Sequence, residues 1–549
     1  MLILGIMGGK RGGDSIAGYF LANRRLAWYS LSFSMLITTY APDTPLTVCS
    51  LIRKYGISGN WYWWSWIIAY AIIAVIIARL WHRSGVVTDA QLVTLRYGNT
   101  KISRFLRFFK ALYSGVLINV IILSWVFLAM GKIIKVIVPW HELTGNKVFS
   151  FLSSIVPDYI TIISGEVTVI LMLCLIVVLI YSWVGGLAAV VYTDVLQFFI
   201  GVIMGFVVAF FSIDLAGGWS GFVDGISKLR IDYLTPLPGE GRYPLSYFLI
   251  AFSVVWWANI FSDGTGYIAQ RINASRNEIE ATKGVMFFIF LYFILRSIMW
   301  IIPGLAMLII FPVETPASKL AEGALLERDP ELGYALLMKI MAERGMAYIV
   351  IVGVFAVFMS TVDTHLNWGA SYVANDILPY LGFNISERKK ILVSKFSIVM
   401  FVILGLLISS RLTSIFSMWV IMASLGAGMG LAHLLRWFWW RVSPVTEITG
   451  TIASLLSTII ASLYKMDEMN TLLLSGLASG SASILATLLY KPDEHTAREF
   501  FEKVRPTGIW FGDKKASYLE AIRYITKCVV LIIAIASILC AIPVLIKLF

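Results

Sequence analysis

The chain predicts an all-α polytopic membrane protein: two five-helix blocks of opposite orientation, then about three additional C-terminal transmembrane helices. Three observations carry this prediction. Hydrophobic residues make up 59% of the 549 and charged residues 14%, with a mean hydropathy of +0.82. A soluble chain of this length cannot hide that much apolar surface. Apolar runs of about 20 residues, the length a helix needs to cross the hydrocarbon core, recur from end to end. Two of those runs are interrupted by helix-breaking residues at matching places.

In chain order the spans are expected at 27–51, 61–82, 104–134, 166–184, 187–213, 246–266, 281–311, 347–377, 391–409, 413–438, 447–464, 470–490 and 524–549. The opening Met1–Met7 is too short to span, and no small-residue cleavage site follows it, so no signal peptide is expected. The first span reads Ile37-Thr38-Thr39-Tyr40-Ala41-Pro42-Asp43-Thr44-Pro45. Pro42 and Pro45 each remove a backbone donor, so a continuous helix is not expected there. The sixth reads Trp256 to Gly266, where Asp263, Gly264 and Gly266 loosen the helix in the same way. Each break opens a block of five spans, 27–213 and 246–438. Because five is odd, the two blocks enter the membrane from opposite sides. That is the inverted-repeat plan of secondary transporters, whose binding sites lie at the broken helices. The segment 447–549 is expected to add accessory helices.

Basic residues predict the orientation. Arg24, Arg25, Arg79, Arg83, Arg96, Lys101, Arg104, Arg107 and Lys110, then Arg271, Arg276, Lys283, Arg388, Lys389 and Lys390, and a last cluster from Lys491 to Lys527, share one side with Lys10 and Arg11. The positive-inside rule makes that side cytoplasmic, with the N-terminus inside and the protein in the cell membrane. The net charge of +12 then points to anionic lipid head groups and away from nucleic acid, because the basic residues sit in short loops between spans. Trp61-Tyr62-Trp63-Trp64 and Trp437-Phe438-Trp439-Trp440 read as interfacial aromatic belts. Residues Tyr334–Arg344 read as a short amphipathic helix on the outer surface. Cys49, Cys174, Cys528 and Cys540 fall in apolar spans at unrelated spacings, so neither a disulfide framework nor a metal cluster is expected.

Polar residues inside the spans mark the candidate site. Ser360-Thr361-Val362-Asp363 sits mid-way along the apolar run from Ala347 to Ile377. A charge at the bilayer centre costs ~2.5–3.5 kcal/mol on insertion scales, so such residues face a cavity or an ion path. A hard cation takes oxygen ligands. Solute-contact candidates are Tyr40, Trp257, Asn259, Asp263, Arg296 and Trp419, from the first, sixth, seventh and tenth spans. Arg296 is buried in the seventh span and needs a partner: Asp263, another intramembrane Asp, or a carboxylate on the solute. His365 reads as a packing or hydrogen-bonding residue. No P-loop, GxSxG elbow, HExxH or CxxC pair is present, so neither ATP-driven transport nor enzyme chemistry is expected.

Several stretches resemble the sodium:solute symporter family, relatives of the proline, sodium/glucose and sialic acid symporters. Tyr19-Phe20-Leu21-Ala22-Asn23-Arg24-Arg25-Leu26 resembles the segment before the family's first core helix. Gly185-Gly186-Leu187-Ala188-Ala189-Val190-Val191-Tyr192-Thr193-Asp194-Val195-Leu196-Gln197 resembles its GGL signature. Gln270-Arg271 resembles the loop after the sixth helix. Phe358-Met359-Ser360-Thr361, with Asn375-Asp376-Ile377, resembles the sodium-site helix. The resemblance implies the leucine-transporter fold and Na⁺ as coupling ion. It also implies import of a small organic solute by alternating access, an amino acid such as proline or another small carboxylate or zwitterion. The family's extra helix before the first core helix is represented only by Met1–Met7, so residues 1–26 are expected to be a cytoplasmic remnant.

The resemblance implies one Na⁺ held by the Ser360 and Thr361 hydroxyls and by the Val357, Ala41 and Thr44 carbonyls. Asp194, Asp363 and Thr364 match positions that bind a second cation in some relatives. Two carboxylates near hydroxyls could hold Na⁺ or share a proton, or an Asp could pair with an Arg. Asp43 matches an acidic residue that serves sodium coupling in proline transporters, and it could also cap the second half of the broken helix. Trp419 and Phe293 stand where sugar transporters tend to carry Gln and Lys, which argues against a sugar. Proton coupling through Asp43, Asp194 and Asp363 is the alternative coupling, and a transporter-like sensor is the alternative class.

Overall fold

The computed structural model describes residues 16–184, 186–238, 242–259, 261–313, 321–511 and 514–548. Met1–Met7, Lys10, Arg11, Gly185, Ile260 and Phe549 lie outside the described residues. The first expected span is two helices, α1 (Trp28–Thr39) and α2 (Asp43–Tyr55). Next come α3 (Ile67–Ser84), α4 (Lys101–Ile137), α5 (Gly165–Val184) and α6 (Leu187–Leu215). The sixth span, expected to end at 266, continues past its break: α7 (Leu245–Val255) is followed by α8 (Tyr267–Asn273), so Gln270 and Arg271, expected in a loop, are helical and buried. Then follow α9 (Glu278–Ile310), α10 (Gly333–Met341), α11 (Ala347–Tyr372), α12 (Glu387–Ser409) and α13 (Ile415–Phe438). The chain closes with α14 (Pro444–Leu463), α15 (Glu468–Leu489) and α16 (Lys514–Leu548). Among the described residues, 11 helices are long and apolar enough to cross a membrane. The two interrupted spans are not among them, because each is built from two short pieces.

The breaks follow from local chemistry. Between α1 and α2 only Tyr40, Ala41 and Pro42 leave the helix. Pro45 sits in the first turn of α2, where its missing N–H costs nothing because that donor has no partner inside the helix. Between α7 and α8 the backbone turns through Gly264 and Gly266, at φ 80 and 83. Residues with a Cβ rarely adopt that left-handed geometry. A π-helical turn, Ala251–Val255, leads into this break, and another, Leu291–Leu295, immediately precedes Arg296. Such turns interrupt regular bonding and recur at functional sites.

The broken helices sit at the centre. α1 packs on α6 and α9, α2 on α9, α6 on α9 and α11, and α4 with α11 on α12. α13, α14 and α15 form a tight trio, and α16 leans on α3. Two signature stretches meet in space: a Cβ on Gly186 would stand 2.5 Å from the Tyr19 carbonyl. All four cysteines are free.

Three further expectations change. Trp61, Tyr62, Trp63 and Trp64, read as an interfacial aromatic belt, are buried inside the protein, as is Trp437, because their rings pack on one another and on neighbouring helices. The helix read as lying on the outer surface is inserted into the protein. Tyr334, Leu336, Leu337, Met338 and Met341 of α10 are buried, because its apolar residues run round the helix and pack on α2, α4 and α9. Within the stretch 491–527, Glu494–Val504 is an amphipathic helix that buries Ala497, Phe500 and Val504, and α16 begins at Lys514 instead of 524. The Arg96 guanidinium stacks on Phe500 and Trp510, 5.3 and 4.7 Å from their ring centres. It donates to the Arg436, Trp439 and Trp440 carbonyls at 3.0–3.2 Å, and burial pulls it down to about 10.

α13 supports the second break at close range. A Cβ on Gly430 would lie 1.8 Å from the Trp257 carbonyl and 3.0 Å from that of Asn259. Gly430→Ala should therefore destabilise the protein by ~1–3 kcal/mol, the usual cost of overpacking. Gly480→Ala, whose Cβ meets nothing closer than 3.6 Å, should not. Thermal unfolding of the two variants in detergent checks this.

Candidate functional site

A helix end leaves carbonyls without intrahelical donors, and the end of α1 recruits side chains from two other helices to fill them. The Thr361 hydroxyl of α11 lies 2.9 Å from the Thr38 carbonyl and 3.2 Å from the Val357 carbonyl of its own helix. Arg296 of α9 donates through Nη2 to the Thr39 carbonyl at 2.8 Å and through Nη1 to the Thr39 hydroxyl at 3.0 Å. The Ala41 carbonyl accepts the Thr44 N–H at 3.2 Å. Of the expected Na⁺ ligands, Thr361 and Val357 thus meet directly, and the α1 carbonyl beside them is that of Thr38. Ser360 is also buried but turns to Asp194.

Asp194 of α6 accepts the Ser34 and Ser360 hydroxyls, each at 2.5 Å. Arg271 of α8 stands 3.5 Å from the same carboxylate. It donates through Nε to the Ser34 hydroxyl at 3.0 Å and through Nη2 to the Thr364 hydroxyl at 2.7 Å. The Thr364 and Thr38 hydroxyls are 3.1 Å apart. All of these groups are fully or nearly fully buried. Asp363 is 0% exposed, and among the described residues neither carboxylate oxygen is within hydrogen-bonding geometry of a donor. The cluster therefore joins both broken helices to α6 and α11, with the Asp–Arg pairing left open by the sequence realised between Asp194 and Arg271.

A cavity of about 100 Å³ lies between the two breaks. Of the six solute candidates it is lined by Asn259, Arg296 and Trp419, and it also receives Ala41, Asp43 and Thr44. Thr38 and Thr361 line it too, so the carbonyl–hydroxyl pair and the cavity adjoin. The Trp419 indole donates to Asp43 Oδ2 at 3.0 Å. Asn259 Oδ1 accepts the Phe261 N–H at 3.0 Å and holds the turn of the second break. His365 bonds Asn119 through Nδ1 at 2.7 Å, in the hydrogen-bonding role expected of it.

Tyr40, Trp257 and Asp263 do not line this cavity. Tyr40 stacks edge-on against Trp300, at 5.1 Å, and its hydroxyl approaches Gly205 of α6. Trp257 donates to the Ser253 carbonyl at 2.7 Å and faces α13 and α15. Asp263 is taken by another cation: Arg436 of α13 lies 2.6 Å from its Oδ2, and the Trp437 indole donates to the same oxygen at 2.7 Å. The expected Asp263–Arg296 partnership is therefore not formed. Arg436 also reaches Glu447 of α14 at 3.5 Å, and Glu447 accepts the Tyr97 hydroxyl at 2.7 Å. Sequence reasoning missed Arg436, Glu447, Ser34, Thr38 and Thr39. Arg436 and Glu447 carried a usable signal, because a charge inside an apolar span must find a buried partner.

Removing one member of a buried pair strands the other, at a cost of ~3–5 kcal/mol, whereas replacing both with apolar groups is often tolerated. Asp263→Asn should therefore lose most of its folded yield, and Asp263→Asn with Arg436→Met should recover much of it. Monodisperse protein recovered by size-exclusion chromatography measures this.

Comparisons with known proteins agree with this architecture. The chain is 24% identical over 502 residues to the sodium/glucose cotransporter of Vibrio parahaemolyticus, covering 87% of this chain and 86% of that protein. It is 21% identical over 424 residues to sodium/glucose cotransporter 1 of Ovis aries, covering 72% of this chain and 58% of that protein. Its fold is similar to that of a substrate-bound, outward-open Na⁺-coupled sialic acid symporter, with a TM-score of 0.68 at 17% identity over 89% of this chain and 96% of that one. Residues 19–153 and 159–456 match the sodium:solute symporter family, and the chain belongs to it.

Proposed function

We propose that this symporter couples inward Na⁺ movement to uptake of a small organic solute that carries a carboxylate, such as an amino acid, by alternating access across the cell membrane. The observation that carries the solute class is the cavity between the broken helices and the guanidinium set into it. Arg296 is 1% exposed, and its acidic neighbour of choice, Asp263, is engaged elsewhere. A planar, buried guanidinium favours a carboxylate. The curated relatives named above are sodium/glucose cotransporters, so glucose is the natural comparison solute.

In this reading Na⁺ sits where the Thr38 and Val357 carbonyls converge on the Thr361 hydroxyl, with Ser360, Ala41 and Thr44 as further ligands. Neutral oxygens of this kind strip water from a monovalent cation without holding it irreversibly. Asp194, Asp363 and Thr364 are proposed as a second cation site beside the first, with Asp363 bringing the unpartnered carboxylate. The distribution of basic loops supports an orientation with the N-terminus inside. One Na⁺ entering a cell held at about −100 mV gains ~2.3 kcal/mol from the potential. That supports ~50-fold accumulation per ion at ~1.4 kcal/mol per decade.

Ser360→Ala with Thr361→Ala removes both hydroxyls and leaves the cavity lining otherwise intact. Uptake into reconstituted vesicles should then need far more Na⁺ for half-activation, by about tenfold or more, with the order of preferred solutes unchanged. An unaltered Na⁺ activation curve would refute the site.

A further inference from the structure

The cavity contains two opposite charges that do not satisfy each other. Asp43 lines it from the first turn of α2 and is 3% exposed. Its Oδ2 is held by Trp419, while its Oδ1 has no hydrogen-bond partner. Arg296 lines it from α9. Its Nη atoms are taken by Thr39, its Nε has no partner among the described residues, and the Tyr292 and Trp300 rings lie 4.2 and 4.3 Å from the guanidinium carbon. Among the described residues no carboxylate forms an ion pair with Arg296 within 4.0 Å. An anion and a cation thus share one small cavity without forming an ion pair.

Charges in such a space interact strongly, and leaving them unpaired is costly. A neutral polyol can hydrogen-bond both groups but neutralises neither charge. A simple carboxylate relieves Arg296 but brings a second negative charge toward Asp43, and a simple amine does the reverse. A dipolar ion relieves both, with its ammonium on Asp43 Oδ1 and its carboxylate on the guanidinium. Resting on the symport reading above, we propose that Asp43 and Arg296 are the two poles of a zwitterion clamp, which makes α-amino acids the substrate class. Asp43 then recognises the solute ammonium. Trp419 is a positioning residue: its indole fixes the Asp43 carboxylate so that Oδ1 is presented to the solute. The Trp66, Tyr70 and Trp125 rings that also line the cavity favour an apolar amino-acid side chain.

The test is a thermal-shift titration of the full chain in detergent, in NaCl and in KCl. The probes are the proteinogenic amino acids, each with its decarboxylated and deaminated counterpart, and glucose. For proline the counterparts are pyrrolidine and cyclopentanecarboxylate. At least one amino acid should bind, with both of its counterparts and glucose at least about tenfold weaker. Asp43→Asn, which keeps an acceptor for Trp419, should erase the preference over the deaminated counterpart only. Arg296→Gln should erase the preference over the decarboxylated one only. The wild-type comparison decides the matter even if neither variant folds. A deaminated acid or glucose binding as tightly as every amino acid overturns the clamp, as does the absence of any amino-acid response. If such binding is still Na⁺-dependent, symport stands without the clamp. Amino-acid selectivity that is identical in KCl supports the clamp and counts against Na⁺ coupling.

Discussion

A charge removed from water must find a partner, and this constraint arranges the interior of the protein. Asp263, Arg436, Glu447, Asp194 and Arg271 are all essentially inaccessible, and each lies within 3.5 Å of an opposite charge. The pairings run between helices distant in sequence. Asp263 on the second break is held by α13, which in turn is tied to α14. Arg271, just beyond the same break, is held by α6. The broken sixth span is thus fastened on both sides by ion pairs. Such pairs add little net stability when made and cost heavily when broken, so they fix geometry more than they strengthen the fold.

The same constraint identifies the site by exception. With Asp263 paired to Arg436, Arg296 among the described residues bonds the Thr39 carbonyl and hydroxyl and lies against two aromatic faces, with no carboxylate in an ion pair. Those groups orient the guanidinium without neutralising it. The break in the first span makes this possible, because a continuous helix would use the Thr38 and Thr39 carbonyls in its own ladder. Freed, one meets the Thr361 hydroxyl and the other meets Arg296. A single interruption therefore supplies adjacent anchors for the proposed cation and the proposed solute. On the proposed assignment, occupancy of one position would bear on the geometry of the other through one peptide unit.

Much of this was legible in the sequence. The two breaks were, because Pro42, Pro45, Gly264 and Gly266 act on the local backbone whatever the rest of the chain does. The polar stretch at Ser360 and Thr361 was, because hydroxyls in an apolar run stand out against their neighbours. The partner of Asp263 was not, since Arg436 lies 173 residues further on and only tertiary packing brings it within reach. Nor was the orientation of Tyr40 and Trp257: each sits where regular helix ends, so helical periodicity no longer fixes which way its side chain points. The carbonyls of Thr38 and Thr39 escaped notice for a simpler reason. Any residue can present a carbonyl, and residue type does not announce it.

The central claim is that solute moves through this cavity only when Na⁺ moves with it. The most direct measurement is solute accumulation in proteoliposomes under an imposed inward Na⁺ gradient, with the membrane potential set independently by potassium and valinomycin. The account predicts that solute rises above its external concentration only with the Na⁺ gradient, and rises further when the interior is made negative. Equal accumulation after replacement of external Na⁺ by choline, at the same potential, would contradict it.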